Sequence, residues 1–244
     1  RIQEAIEKNG ASAIILSALD EIAWTLNLRG NDVHCNPVFI SYLLISKEGY
    51  TLYILEDKIT DEVRQYLNLH HVEIKSYSAL AEDLRTFKEN HQGILQISPL
   101  ANEALYNLSA QYADTIVQAS PVALMKAVKN ESEQAGFRKA MERDGVALVK
   151  FLRWLKEAVA TGNETELSVD KKLYELRAEQ ADFKGISFDT IAGYKEHAAI
   201  VHYEATPETD IPLKPEGLLL LDSGAQYLDG TTDITRTIAL GPLT

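Results

Sequence analysis

The sequence predicts an α/β unit followed by an α+β unit, and three observations carry that expectation. Over residues 1–128, short apolar runs alternate with helical patterns through short connections, as in a sheet with helices packed on it. From about Lys129 the texture changes to one long, nearly unbroken helical pattern. The chain then closes in strand patterns joined by turns, which pair as antiparallel ribbons.

The elements follow in order. Residues 2–9 read as a helix end with Gly10 as its left-handed cap. Residues 13–16 read as a buried strand, and residues 21–26 as a short helix ending before Arg29-Gly30. Residues 39–46 and 50–55 read as strands, and Lys47-Glu48-Gly49 between them is a hairpin signal. Thr60 caps a helix over 61–67. Strand patterns at 72–74, 94–97 and 115–117 enclose helices at 79–87 and 101–108. These elements predict a mostly parallel sheet. The second unit opens with a helix over 133–160, whose apolar positions Val146, Val149, Leu152 and Leu155 fall close to the 3.6 period. A helix over 168–181 and strands at 187–192, 217–225 and 233–240 complete it. The domains implied are 1–128 and 129–244, without a Gly/Ser linker between them.

Composition narrows the function classes. The 24 basic and 36 acidic residues leave a formal charge of −12, which argues against nucleic acid or an anionic membrane as partner. Cys35 is the single cysteine, so no internal disulfide can form, and reducing surroundings are expected. No apolar run approaches the ~20 residues of a membrane-spanning helix. The chain opens on Arg1 inside a helical pattern and closes just after a strand, and it reads as a fragment of a longer protein.

The chemistry concentrates near the end. Leu218-Leu219-Leu220-Leu221 delivers Asp222, and Asp233 opens the next strand. Aspartate disfavours strands, so two of them on paired strands suggest hard oxygen ligands for a divalent cation. The apolar run before Asp222 suggests burial on both faces. A turn at Asp229-Gly230 could instead make both aspartates turn or cap residues. In an unbent hairpin turning there, Asp233 lies opposite about Gln226, which leaves Asp222 roughly 13 Å further along. A bend or bulge, with Gly224 the candidate, must close that gap. His202, in Ala198-Ala199-Ile200-Val201-His202-Tyr203, is either a strand-end histidine held by hydrogen bonds or a substrate donor and general acid–base. His34 and Cys35 stand side by side as a metal pair would, but one histidine and one cysteine alone are a weak pattern. The loop from Asn27 to Pro37 is polar between apolar segments, the kind of segment that carries function on a rigid scaffold. No phosphate-binding glycine loop and no nucleophile elbow occurs.

Four stretches carry a resemblance. They are Ala18 to Trp24 running through Leu28-Arg29-Gly30 to Asn36-Pro37-Val38-Phe39; Lys126-Ala127-Val128-Lys129-Asn130; Ala181-Asp182-Phe183 with Ile200-Val201-His202-Tyr203; and Leu221-Asp222-Ser223-Gly224-Ala225-Gln226-Tyr227 with Asp229 to Thr237. Together they resemble the aminopeptidase P (Xaa-Pro aminopeptidase) family of pita-bread metallopeptidases, in its three-domain, cytosolic-type branch. The resemblance implies a creatinase-like α/β domain followed by the first part of a pita-bread catalytic domain. It implies two divalent metals, usually manganese, with Asp222 on one and Asp233 bridging both. It implies His202 as the catalytic and substrate-binding histidine near the scissile bond. Thr235 and Arg236 would support the site. The substrate implied is a peptide with proline in second position, the location cytoplasmic, and the parent protein a homodimer. The family's remaining ligands, one histidine and two glutamates, would lie beyond Thr244, so the fragment alone is expected to be inactive and prone to self-association. A prolidase-type dipeptidase, metal-free creatinase and a non-catalytic binding member of the same fold are the rival readings.

Overall fold

The structure is a computed structural model that describes residues 1–243; Thr244, the end of the expected second domain, lies outside them. The chain forms two compact units. One comprises Arg1–Val33 and Pro37–Val128, the other His34–Asn36 together with the chain from Lys129 on.

In the first unit the chain order is α1 (Ile2–Lys8), β1 (Ala13–Leu16), α2 (Leu19–Leu26), β2 (Ser41–Ser46), β3 (Tyr50–Ile54), α3 (Asp61–Leu69), β4 (Val72–Ser76), α4 (Ala79–Arg85), α5 (Phe87–Asn90), β5 (Ile94–Ile97), α6 (Glu103–Tyr112), β6 (Asp114–Val117) and α7 (Pro121–Ala127). The strands form one sheet in the order β4-β3-β2-β1-β5-β6. It is mixed: β3–β4, β1–β5 and β5–β6 are parallel, while β2 runs antiparallel to both neighbours. The tight connection after Ser46 turns the chain straight back onto β2, which a parallel pairing cannot do.

Helices cover both faces of this sheet. Ile14 and Leu16 of β1 join Leu43, Ile45, Leu52 and Ile54 beneath Ile6, Ile22, Leu67 and Val122. Ala13 and Ile15 join Leu44, Tyr53, Leu95 and Ile97 beneath Leu80, Leu84, Phe87 and Leu105. Successive side chains of a strand point to opposite faces, so an unbroken apolar run is what a doubly covered sheet requires. Arg29 folds its guanidinium back on α2, donating to the carbonyls of Ala23 and Leu28 at 3.1 and 2.9 Å. Arg29 thus serves as a local cap on the end of α2.

The second unit continues with α8 (Glu131–Ala158), α9 (Glu166–Ala178), β7 (Phe183–Ile186), β8 (Ile191–Tyr194), β9 (Leu218–Ser223), β10 (Ala225–Tyr227), β11 (Gly230–Thr231) and β12 (Ile234–Ala239). Asn130 starts α8 through a reciprocal capping box with Glu133. Its buried face is Gly136, Ala140, Asp144, Ala147, Leu148, Phe151, Leu155 and Ala158. Val146 and Val149 are exposed by 49% and 68%, so the expected apolar stripe was displaced to one side of the buried face. Small residues on that face let the sheets approach closely, and their low hydrophobicity hides it in the sequence.

All strands of this unit pair antiparallel, in two three-stranded sheets ordered β11-β10-β7 and β12-β9-β8. Both sheets are fed by the same three stretches of chain, 183–194, 218–227 and 230–239, each giving one strand to either sheet. Most of the strand expected at 187–192 is instead the connection between β7 and β8, which lie one in each sheet; only Ile191 and Ala192 are in a strand, β8. The run through 217–225 likewise breaks at Gly224 into β9 and β10. Phe151, Leu155, Val169 and Leu173 of the helices pack on Ala192, Tyr194, Leu219 and Leu221.

Candidate functional site

The two aspartates lie on the ribbon formed by β9–β10 and β11–β12. Tyr227 pairs with Gly230 and Gln226 with Thr231, so the turn is Leu228-Asp229 rather than Asp229-Gly230. Beyond the bend, Ser223 pairs with Ile234 and Asp222 with Thr235. Between these, the Thr232 amide donates to the Ala225 carbonyl at 2.9 Å. The register is thus continuous, and it sets Asp233 opposite Gly224, not Gln226. Asp233 falls two residues from Asp222, roughly 7 Å along the strand. Cross-strand partners share a face and residues two apart share a face, so the register puts both carboxylates on one side of the ribbon.

The ribbon breaks between β9 and β10 at Gly224, the position expected to bend, and four hydrogen bonds hold the break. The Ser187 hydroxyl donates to the Thr232 carbonyl at 2.8 Å. The Thr232 hydroxyl accepts the Ala225 amide at 3.0 Å, replacing a backbone acceptor. The Gly224 carbonyl accepts from the Ser187 amide at 3.1 Å and from Arg177 Nη1 at 3.4 Å. A Cβ on Gly224 would meet Ser187 Oγ and the Thr232 carbonyl oxygen at 2.1 Å each.

Arg177 belongs to a buried network that the sequence did not announce. Its guanidinium grips Asp144 of α8 at 2.8 and 3.0 Å, with the two residues 1% and 0% exposed. Tyr227 of β10 donates to the same carboxylate at 3.0 Å. Burial first, then the Asp144 carboxylate, push the Tyr227 phenol well above its ordinary range. At the turn, Arg143 pairs with Asp229 and Asp182 at 2.7 and 3.0 Å. Gly136 of α8 admits the Asp229 carbonyl where a Cβ would stand 2.4 Å from it. The ribbon is anchored along its length to one helix.

Burial of Asp222 departs from the expectation. Strand β9 alternates, burying Leu219, Leu221 and Ser223 while Leu218, Leu220 and Asp222 face a more open side. Asp222 is half-buried, and its Oδ1 accepts from the Thr235 hydroxyl at 2.7 Å. Asp233 is exposed, and its carboxylate has no hydrogen bond or ion pair among the described residues. Two oxygen donors on one face, neither neutralised by lysine or arginine, suit a hard divalent cation.

His202 lies in an exposed turn, not at a strand end, and its backbone is left-handed at φ +56°. The loop that presents it hangs on Glu166, a fully buried carboxylate at the start of α9. Glu166 accepts from the Tyr194 amide at 2.7 Å, from the Tyr203 hydroxyl at 2.8 Å and from His197 Nδ1 at 3.0 Å. His197 is thus a structural partner, on a 3-10 turn, Lys195–Ala199. Glu166 gave no signal in the sequence because its partners are 28 to 37 residues away.

The comparisons with known proteins agree with this architecture. Residues 1–133 match the creatinase/prolidase N-terminal domain, and residues 135–244 match metallopeptidase family M24. Xaa-Pro aminopeptidase 1 of Dictyostelium discoideum is 41% identical over 244 residues, covering 98% of this chain and 38% of that protein. The probable Xaa-Pro aminopeptidase P of Sordaria macrospora is 39% identical, covering 98% and 41%. The chain therefore spans about two fifths of the length of these curated relatives. Among solved structures, the X-prolyl aminopeptidase of Caenorhabditis elegans, described as a cytosolic enzyme with a di-nuclear active site, superposes with a TM-score of 0.91. It is 30% identical and is matched over 98% of this chain and 40% of its own. The Xaa-Pro dipeptidase of Bacillus anthracis, at 19% identity and a TM-score of 0.78 over 100% of this chain and 64% of its own, shares the fold.

Proposed function

We propose, since the chain belongs to the creatinase/prolidase N-terminal domain family and continues into a metallopeptidase M24 match, that it serves a metal-dependent aminopeptidase releasing the residue that precedes proline. The observation that carries this reading is the ribbon register, which sets Asp222 and Asp233 on one face as unneutralised oxygen donors. Asp222 would hold one divalent cation and Asp233 would bridge two. Manganese is the cation proposed. Such ions lower the pKa of bound water and polarise a carbonyl.

The residues of this chain bind, orient and move protons. Thr235 donates to one oxygen of Asp222 and fixes its rotamer. The Gly224 bend, held by Arg177 and Ser187, fixes the backbone between the two aspartates. His202, presented on its turn by the Glu166 clamp, would donate to the peptide near the scissile bond or take part in proton transfer. The identity with relatives named for Xaa-Pro cleavage supports proline specificity, and the neighbour described as cytosolic supports a cytoplasmic location. A homodimeric parent protein belongs to the same proposal.

The test is hydrolysis of Xaa-Pro peptides of increasing length by a protein extended to its relatives' length and loaded with manganese. Cleavage of tripeptides and longer substrates, lost in Asp233→Ala, is the expected result. Cleavage of dipeptides alone would assign a dipeptidase, and none at all would sink the reading. Glu166→Ala should lower kcat with metal content unchanged, because it loosens the His202 turn and leaves the aspartates in place.

A further inference from the structure

We propose that His34, Cys35 and Asp189 form a second cation site, for a borderline divalent ion of the zinc type, separate from the aspartates of the ribbon. The three residues all belong to the second unit, though His34 and Asp189 are 155 residues apart in sequence. One ligand atom from each lies within 4.8 Å of the other two, and no other trio of histidine, cysteine or acidic residues among the described residues does so. His34 Nε2 already meets Asp189 Oδ1 at 2.7 Å.

The backbone brings Cys35 to this place under constraint. Cys35 is left-handed at φ +59°, a conformation that a cysteine adopts only when its surroundings impose it. Gln226 of β10 donates to its carbonyl at 3.0 Å and fixes the loop there. The surrounding field favours a cation. Asp189 lines a cavity of about 130 Å³ together with Asp170, Glu204 and the Glu166 carboxylate. No lysine or arginine pairs with Asp189 among the described residues.

The donor set selects the ion. A thiolate, an imidazole and a carboxylate suit zinc, whereas the all-oxygen pair of the ribbon suits a harder cation. Donors on one zinc lie roughly 3.3–3.7 Å apart, so a small rearrangement of His34 and Asp189, 73% and 47% exposed, completes the shell. Water takes the fourth position. Without a cation, burial and the Asp189 charge keep the Cys35 thiol protonated. On binding, the sulfur–metal bond forms as that proton leaves to solvent, and Asp189 becomes a co-ligand instead of a repelling charge. The site is independent of peptidase activity and is tested without it.

The experiment is a cobalt(II) titration of the reduced 244-residue chain without oxygen, followed by zinc. Cys35 is the only cysteine, so any thiolate-to-cobalt charge-transfer band arises there. The band should saturate at one cobalt per chain, vanish with one equivalent of zinc and persist in an Asp222→Ala/Asp233→Ala double variant. His34→Ala and Asp189→Asn should each weaken cobalt at least about 10-fold. Zinc should also protect Cys35 from alkylation in the unmodified chain and not in His34→Ala. Absence of the band in the folded chain would overturn the proposal. So would a band indifferent to His34 and Asp189, or one lost with the ribbon aspartates.

Discussion

Asp222, Gly224 and Asp233 are informative as single residues because each is a poor strand former in a strand-rich ribbon, Asp222 inside β9 and the other two at the breaks between strands. Gly224 is the most constrained. A Cβ added there would stand 2.1 Å from both Ser187 Oγ and the Thr232 carbonyl oxygen, so Gly224→Ala must push two elements apart. The cost expected is about 3 kcal/mol of overpacking, read as a shift in urea midpoint, with manganese affinity falling in parallel. Asp170 gives a pH-dependent counterpart. Its carboxyl is raised from the ordinary 3.8, by burial first and by Asp189, against the lowering effects of Thr190 and Arg177. A carboxyl that holds its proton more tightly when folded stabilises the fold at low pH. That contribution is lost as pH rises from the ordinary value through the raised one. Asp170→Asn should therefore gain stability over the parent chain at about pH 7 and lose that advantage below about pH 4, measured as urea midpoints at both. The aspartates and the glycine were legible in the sequence from residue type alone. Glu166 and the Asp144–Arg177–Tyr227 network were not, because buried polar partners separated by 28 to 83 residues leave no local pattern.

Among the elements, alternation of short apolar runs with helical patterns was enough to read the first sheet and its helices. The tight turn after Ser46 marked the place where that sheet becomes antiparallel. Element ends were less legible. Helix α8 begins at Glu131, and its cap is a capping box, Asn130 with Glu133, that stands openly in the sequence. Removing the cap with Asn130→Ala should cost about 1 kcal/mol, seen as a lower melting temperature of the second unit with its near-ultraviolet spectrum unchanged. Asp222 was misjudged for a different reason. An unbroken Leu218 to Leu221 run suggests two buried faces, yet β9 buries one. The pairing partner, not the strand's own composition, decided the Asp222–Asp233 geometry. A turn one residue earlier than expected moved Asp233 from opposite Gln226 to opposite Gly224, which shortens its separation from Asp222 along the strand from roughly 13 Å to roughly 7 Å.

On the scale of the whole chain, the charge of −12 and the match to about two fifths of its relatives' length bear on the same question, how much of a metal site these residues hold. Asp222 is half-buried with a hydroxyl partner and Asp233 is exposed, so both are available to a cation. Neither is reinforced by further donors on the ribbon, and a hard divalent ion takes about six oxygen ligands at a well-formed site. Two carboxylates leave most of that shell to water, and such a pair binds no tighter than about millimolar. The expected outcome is that water-proton relaxation detects manganese on the 244-residue chain only in that weak range, and that Asp222→Ala or Asp233→Ala abolishes it. A protein extended to the length of its relatives should bind at least about 100-fold more tightly, with two manganese ions displaced together by either substitution. Equal affinity in the two lengths would mean that the ribbon completes its shell by another route, such as a second copy of the chain. That route makes binding rise with protein concentration, and the same titration at two concentrations reads it directly.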